Sequence, residues 1–177
     1  MDKKLKSVIS IAAAVLLAII PVVISQHNIS KAEKQNDILA ENFTELVRIA
    51  GEIADTYRAN GMPKTLTFVR ENKGRAVKAV ENLRGVCDYF EKVKVPRKLK
   101  DELAKVRAGI PDMRNFLDKY ENMFQDVMLE SEFKAYVSEM SKSVSALQES
   151  GSFIIAEQEF MRAMKRLRGR KGGLMWL

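Results

Sequence analysis

Few residues in this chain of 177 are of a type and spacing that could do chemistry, and each lacks the company it would need. His27 is the only histidine and Cys87 the only cysteine. One histidine excludes multi-histidine zinc sites and the Glu-x-x-His pairs of di-iron bundles, and one cysteine excludes Cys-x-x-Cys-His haem attachment. A Ser-His-Asp arrangement would have to use His27, which follows directly on a long apolar run and stands away from any bundle core. The neighbouring carboxylates Asp101/Glu102 and Glu157/Glu159 read as solvated helix faces and not as an acid–base pair. Gly169, Gly172 and Gly173 lie in a basic tail without the strand and helix that a phosphate-cradling loop requires. No catalytic residue, cofactor or metal is expected, and the chain reads as a non-enzyme. A single cysteine also excludes an intramolecular disulfide, and Cys87 reads as a small apolar core residue.

The elements that position the chain are more legible than any site on it. Residues 1–6, with Lys3, Lys4 and Lys6, precede an uncharged and almost wholly aliphatic run from Ser7 to Ser25. As a helix that run is roughly 28 Å long, about the hydrocarbon thickness of a bilayer. The lysines on its N-terminal side favour a cytoplasmic N-terminus. The expectation is a transmembrane signal-anchor helix over 7–25, single-pass in a bacterial inner membrane, with the rest of the chain periplasmic. A cleavable secretory signal is the alternative, because Val23 and Ser25, or Ser30 and Ala32, suit the −3 and −1 places of a cleavage site. That alternative ends in a secreted helical binding protein.

Beyond the apolar run the only strong periodicity is helical. Leu99, Leu103, Val106, Ile110, Met113, Leu117, Tyr120, Phe124 and Val127 step by four and three without a miss. Ala76, Val80, Leu83, Cys87 and Phe90 repeat the pattern in the preceding segment, and Leu39, Phe43, Leu46, Ala50, Ile53 and Tyr57 in the one before. A fourth set, Phe133, Val137, Met140, Val144, Leu147, Gly151 and Ile154, continues to Met161 with a polar interruption at Gln158. Asn60-Gly61-Met62-Pro63 and Val95-Pro96 punctuate the first boundaries, and a short turn near Leu129–Glu132 is expected at the third. Pro111, with Gly109 two residues before it, reads as a kink in the third helix and not as an end. The predicted fold is all-α: an N-terminal transmembrane helix followed by an antiparallel up-down-up-down four-helix bundle over 26–168, closed by a basic and apolar tail over 169–177.

Charge sharpens this layout. Between Ser7 and Met161 the chain carries 21 Lys/Arg and 22 Asp/Glu, so the formal net charge of +7 comes from the ends. If the first helix leaves the membrane and the second returns, the turn around 92–100 and the end of the fourth helix both come back to the bilayer. Lys92, Lys94, Arg97, Lys98 and Lys100 then meet Arg162, Lys165, Arg166, Arg168, Arg170 and Lys171 at the headgroups, with Trp176 suited to the interface. The Arg162–Lys171 run lacks the interleaved aromatics of a single-strand groove, and nucleic acid is not an expected partner. Membrane lipid is an expected partner, together with a protein partner or a second copy, the latter through Met-rich edges at Met123, Met128, Met161 and Met164.

The layout of residues 1–168, though no residue motif, resembles the extracytoplasmic four-helix-bundle sensor modules of bacterial chemoreceptors and sensor kinases. It departs from them in having no second membrane crossing after the bundle. Two functions follow from these readings. The first is a non-enzymatic, membrane-anchored envelope protein that binds a partner as an accessory or assembly subunit. The second is an extracytoplasmic ligand-binding sensory or regulatory module that acts through a partner.

Overall fold

A computed structural model describes the backbone of residues 3–124, 130–149 and 151–172, and the side chains of residues 30–124, 131–140, 142–149, 151–167 and 169. Among these every regular element is helical: α1 (Lys3–Asn60), α2 (Met62–Lys92), a 3-10 turn (Arg97–Leu99), α3 (Lys100–Asn122), α4 (Glu130–Leu147) and α5 (Phe153–Gly172). The chain divides into two compact units, Met1–Lys34 and Gln35–Leu177. The first holds the N-terminal part of α1, and the anchor expected over 7–25 rests on side chains outside the described residues. Among the described residues no helix is long and apolar enough to cross a membrane.

The second unit is a helical bundle, and its boundaries follow local chemistry. Gly61 takes a φ of 72°, which an L side chain rarely adopts, and Pro63 lies in the first turn of α2 where a missing N–H does no harm. At the other end of α2, the Arg107 guanidinium of α3 donates to the Phe90 carbonyl at 3.0 Å and to the Val93 carbonyl at 2.9 Å. A side chain from the next helix thus satisfies carbonyls that a helix end leaves without partners. Pro111 stands inside a continuous α3, as its spacing predicts.

Polar contacts between helices fix their directions. Asn82 Nδ2 donates to Asn42 Oδ1 at 2.9 Å and Arg75 meets Glu45 at 2.6 Å, so α1 and α2 run antiparallel. Phe43 packs on Phe116 with ring centroids 6.1 Å apart, and the buried Tyr120 hydroxyl donates to the Leu46 carbonyl at 2.8 Å, so α3 runs back alongside α1. Between α2 and α3, Arg84 reaches Asp118 and Glu121 at 2.7 Å each, while Arg114 reaches Asp88 at 2.7 Å and Glu91 at 3.0 Å. Two reciprocal forks lock this pair. The core is apolar throughout these contacts, from Leu46, Ile49 and Ile53 through Val80, Leu83 and Phe90 to Val106, Met113 and Leu117.

Two boundaries differ from expectation. The third helix ends at Asn122, not near Leu129–Glu132, because Met123 and Phe124 donate to the carbonyls of Tyr120 and Glu121, three residues back, and tighten the last turn. The chain is already helical again at Glu130. Val127, the last residue of the expected seam, lies outside the described residues. The fourth helix is two helices. Gly151 takes a φ of 86°, and the Ser152 hydroxyl donates to the Leu147 carbonyl at 2.6 Å while accepting from the Ile155 N–H at 3.5 Å, ending α4 and starting α5. The break moves the seam by one residue: Phe153, Glu157, Phe160 and Met164 are buried, whereas Ile154 is half-buried and Gln158 exposed.

The tightest helix approach lies where α5 begins. A Cβ added to Gly109 would stand 2.6 Å from the Phe153 nitrogen and 2.7 Å from its Cα, both backbone atoms that cannot swing aside. Gly74 and Gly85, by contrast, face open space in the middle of α2. Gly109→Ala is therefore expected to lower stability by about 1–3 kcal/mol in chemical denaturation. Gly74→Ala and Gly85→Ala should each raise it by about 0.5–1 kcal/mol.

Candidate functional site

Three features of the second unit stand apart from its packing: a basic pole, a groove and a buried carboxyl group. The pole collects residues far apart in sequence. Lys92 ends α2, Lys94 lies in the connection after it, Arg97 and Lys98 sit in the 3-10 turn, and Lys100 opens α3, all of them exposed. Gly109 against Phe153 and Lys105 near Glu159 at 4.0 Å make α5 antiparallel to α3, and α5 also packs against the 3-10 turn. This register carries Arg162, Lys165 and Arg166, also exposed, to the same end. Arg48, Arg58, Arg75, Arg84, Arg114, Lys105 and Lys119 all form ion pairs, and none of these eight polar cations does so among the described residues. The expected positions Arg168, Arg170, Lys171 and Trp176 have side chains outside the described residues.

The groove lies between α1 and α4 and has a volume of about 550 Å³. Small residues open it, since Ala50, Gly51 and Ala54 leave α1 without side chains long enough to fill the space. Ile53, Met123 and Met140, all buried, form the floor, and Val137 and Val144 the far wall. Arg58 and Lys142 with Ser138 and Ser145 supply the polar lining. A mostly apolar cleft with a few polar groups is the usual form of a binding site of this size. The methionine edges considered for self-association are mainly interior: Met123, Met161 and Met164 are buried, and Met128 lies outside the described residues.

The buried carboxyl group belongs to Glu157. Its side chain is fully buried with 0% exposure, and neither carboxylate oxygen has a hydrogen-bond partner among the described residues. Other buried polar groups are satisfied, since Thr65 Oγ1 donates to the Gly61 carbonyl and Asn72 Nδ2 to the Phe68 carbonyl. Burial pushes the Glu157 carboxyl up to about 7, and the positive charge of Lys165 on the same helix only partly opposes this. The expectation that Glu157 and Glu159 share a solvated face is thus half corrected. Glu159 is exposed beside Lys105, but the break at Gly151 and Ser152 turns Glu157 into the core. Glu157, not Gln158, interrupts the seam. The spacing Phe153, Glu157, Phe160, Met164 carried this signal once the helix was allowed to restart after Gly151.

Among the described residues no three His, Cys, Asp or Glu side chains converge to hold a metal. Cys87 is buried and its thiol is pushed up to about 11, mainly by that burial, which makes it a packing residue at neutral pH. What the arrangement can do is bind and titrate.

Linkage gives the titration a direction. Glu157 holds its proton more tightly folded than unfolded, so its contribution to stability is complete below the unfolded value of about 4.3 and is lost as pH rises through about 7. The loss is on the order of 3 kcal/mol and levels off above that window. Glu157→Met, which fills the same space without a charge, should flatten this part of the pH–stability curve and make the variant the more stable protein at pH 8 in thermal melts. Comparison of the chain with protein-family models, with curated proteins and with solved structures gives no match, so its site is read from its own geometry.

Proposed function

We propose that this chain is a non-enzymatic helical-bundle protein of the bacterial envelope, anchored by its N-terminal apolar segment and binding a protein partner as an accessory or assembly subunit. The observation that carries the reading is the basic pole. Eight exposed cations that form no ion pair among the described residues, drawn from the 92–100 segment and from α5, are gathered at one end of the second unit. α1 enters that unit at Gln35 on the same end, as its antiparallel pairing with α2 requires. A basic side chain near an anionic lipid surface contributes on the order of 1 kcal/mol, less with salt, so a few of the eight suffice to hold the pole at headgroups. Lys3, Lys4 and Lys6 before the uncharged run from Ser7 to Ser25 support a cytoplasmic N-terminus and an outward bundle.

The groove supports the partner half of the reading. It lies toward the end opposite the pole, near Tyr57 and Phe133, whose rings are 5.6 Å apart, and so would face away from the lipid. The same groove favours a second reading, in which an extracytoplasmic sensory or regulatory module takes a small ligand between α1 and α4. Its apolar floor beside Arg58, Lys142 and two serines suits a ligand that is partly apolar and partly polar.

The test uses the full chain in a bacterial host. It should stay with the membrane through carbonate extraction, and protease added to spheroplasts should remove the bundle. A photo-crosslinking residue at position 98 should capture lipid, with capture falling several-fold when salt is raised from low to about 0.5 M. One at position 51 should capture protein instead. A soluble, shortened periplasmic product, or lipid capture indifferent to salt, would contradict the anchored reading.

A further inference from the structure

We propose that α5 is a proton-biased arm of the bundle: neutral Glu157 favours its docking on α3, and loss of the Glu157 proton shifts α5 toward a state detached about Gly151 and Ser152 while α2 and α3 stay packed. The observation is a carboxyl group that is fully buried and has no donor for either oxygen among the described residues. An ionised carboxylate in such a place costs several kcal/mol unless it is paired, and the cheapest relief is to move the element that carries it.

The charged groups on the surrounding elements offer no alternative partner. On α5 itself Lys165 is exposed and acts only at a distance, and Glu159 turns outward to Lys105 of α3. Also on α3, Arg107 is committed to the carbonyls of Phe90 and Val93, and Glu102 is half-buried and of the wrong sign. On α2, Cys87 presents a neutral thiol, and Asp88 and Glu91 are held by Arg114. On α4, Glu139 lies by Lys119, and Lys142 lines the groove. In the 3-10 turn Arg97 and Lys98 are exposed. None of these places a donor on a Glu157 oxygen.

The construction of α5 suits local release. Its N-terminal end is joined through a turn in which Gly151 has a φ of 86°, so movement there does not break a helix. Its basic residues Arg162, Lys165 and Arg166 share one end of the unit with Arg97, Lys98 and Lys100, so docking gathers like charges there. What holds it down is apolar: Phe153 and Phe160 pack edge-on to Phe90 with centroids 6.0 and 5.8 Å apart, with Met161 and Met164 buried beyond them.

Hydrogen exchange of the full chain in lipid nanodiscs at pH 6 and pH 8, corrected for intrinsic rates, tests this. With docked Glu157 titrating near 7 and released Glu157 near its ordinary value, protection of α5 amides should fall about tenfold between the two, and that of α2 and α3 should hold. Glu157→Gln should abolish the fall, and Glu157→Met covers the case in which the buried amide unfolds the protein. His27→Asn, which removes the one side chain ordinarily titrating in this range, should behave as the parent chain does. Unchanged α5 protection, equal loss across α2, α3 and α5, persistence of the fall in both Glu157 variants, or its disappearance in His27→Asn would each overturn the proposal.

Discussion

The close approach of α5 to α3 is the constraint on which the second unit depends. Gly109 lets the backbone of Phe153 come nearer than any side chain would allow, and from that point the register of α5 is settled. Phe153 and Phe160 then reach Phe90 of α2, Lys105 comes level with Glu159, and the basic end of α5 arrives beside the 3-10 turn. The same register puts Glu157 inside. A carboxyl group in the core and a cluster of cations at the pole are two consequences of one crossing.

Against that crossing, the rest of the bundle is held redundantly. α3 is tied to α2 by two arginine forks and to α1 by the Tyr120 hydroxyl and the Phe43–Phe116 contact. The forks are largely exposed and contribute mainly specificity, fixing which helices are neighbours and in which direction. The energy comes from the apolar seams. Between α1 and α4, Ala50, Gly51 and Ala54 offer too little side chain to close the gap to Val137 and Val144, and the groove remains.

The bundle and its first two turns were legible in the sequence because they depend on strong, local signals. Nine apolar residues in unbroken four-three steps define α3, and Gly61 with Pro63 is a stop and a restart whose chemistry depends on nothing distant. The division of α4 from α5 leaves no mark in the pattern, because Gly151 falls on the heptad position that a continuous helix would use and the apolar steps run through the break without a visible gap. One unnoticed residue of phase then assigns Gln158 to the core and Glu157 to solvent, the reverse of their places. The basic pole was readable as two separate clusters, and their meeting follows from up-and-down topology alone. The groove was not readable, because three small residues on a helix carry no sign of whether a neighbour fills the space beside them.

Glu157 is where fold and function touch most directly, since it binds the placement of α5, and with it the basic pole, to a single proton. The most direct measurement is the titration of its side-chain carboxyl carbon by NMR in the full chain, assigned against Glu157→Gln. A midpoint near 7 is expected for a carboxyl group held without partners in the α3–α5 seam. A midpoint near the ordinary value of about 4.3 would mean that the group is solvated or paired, and that α5 does not pack as described.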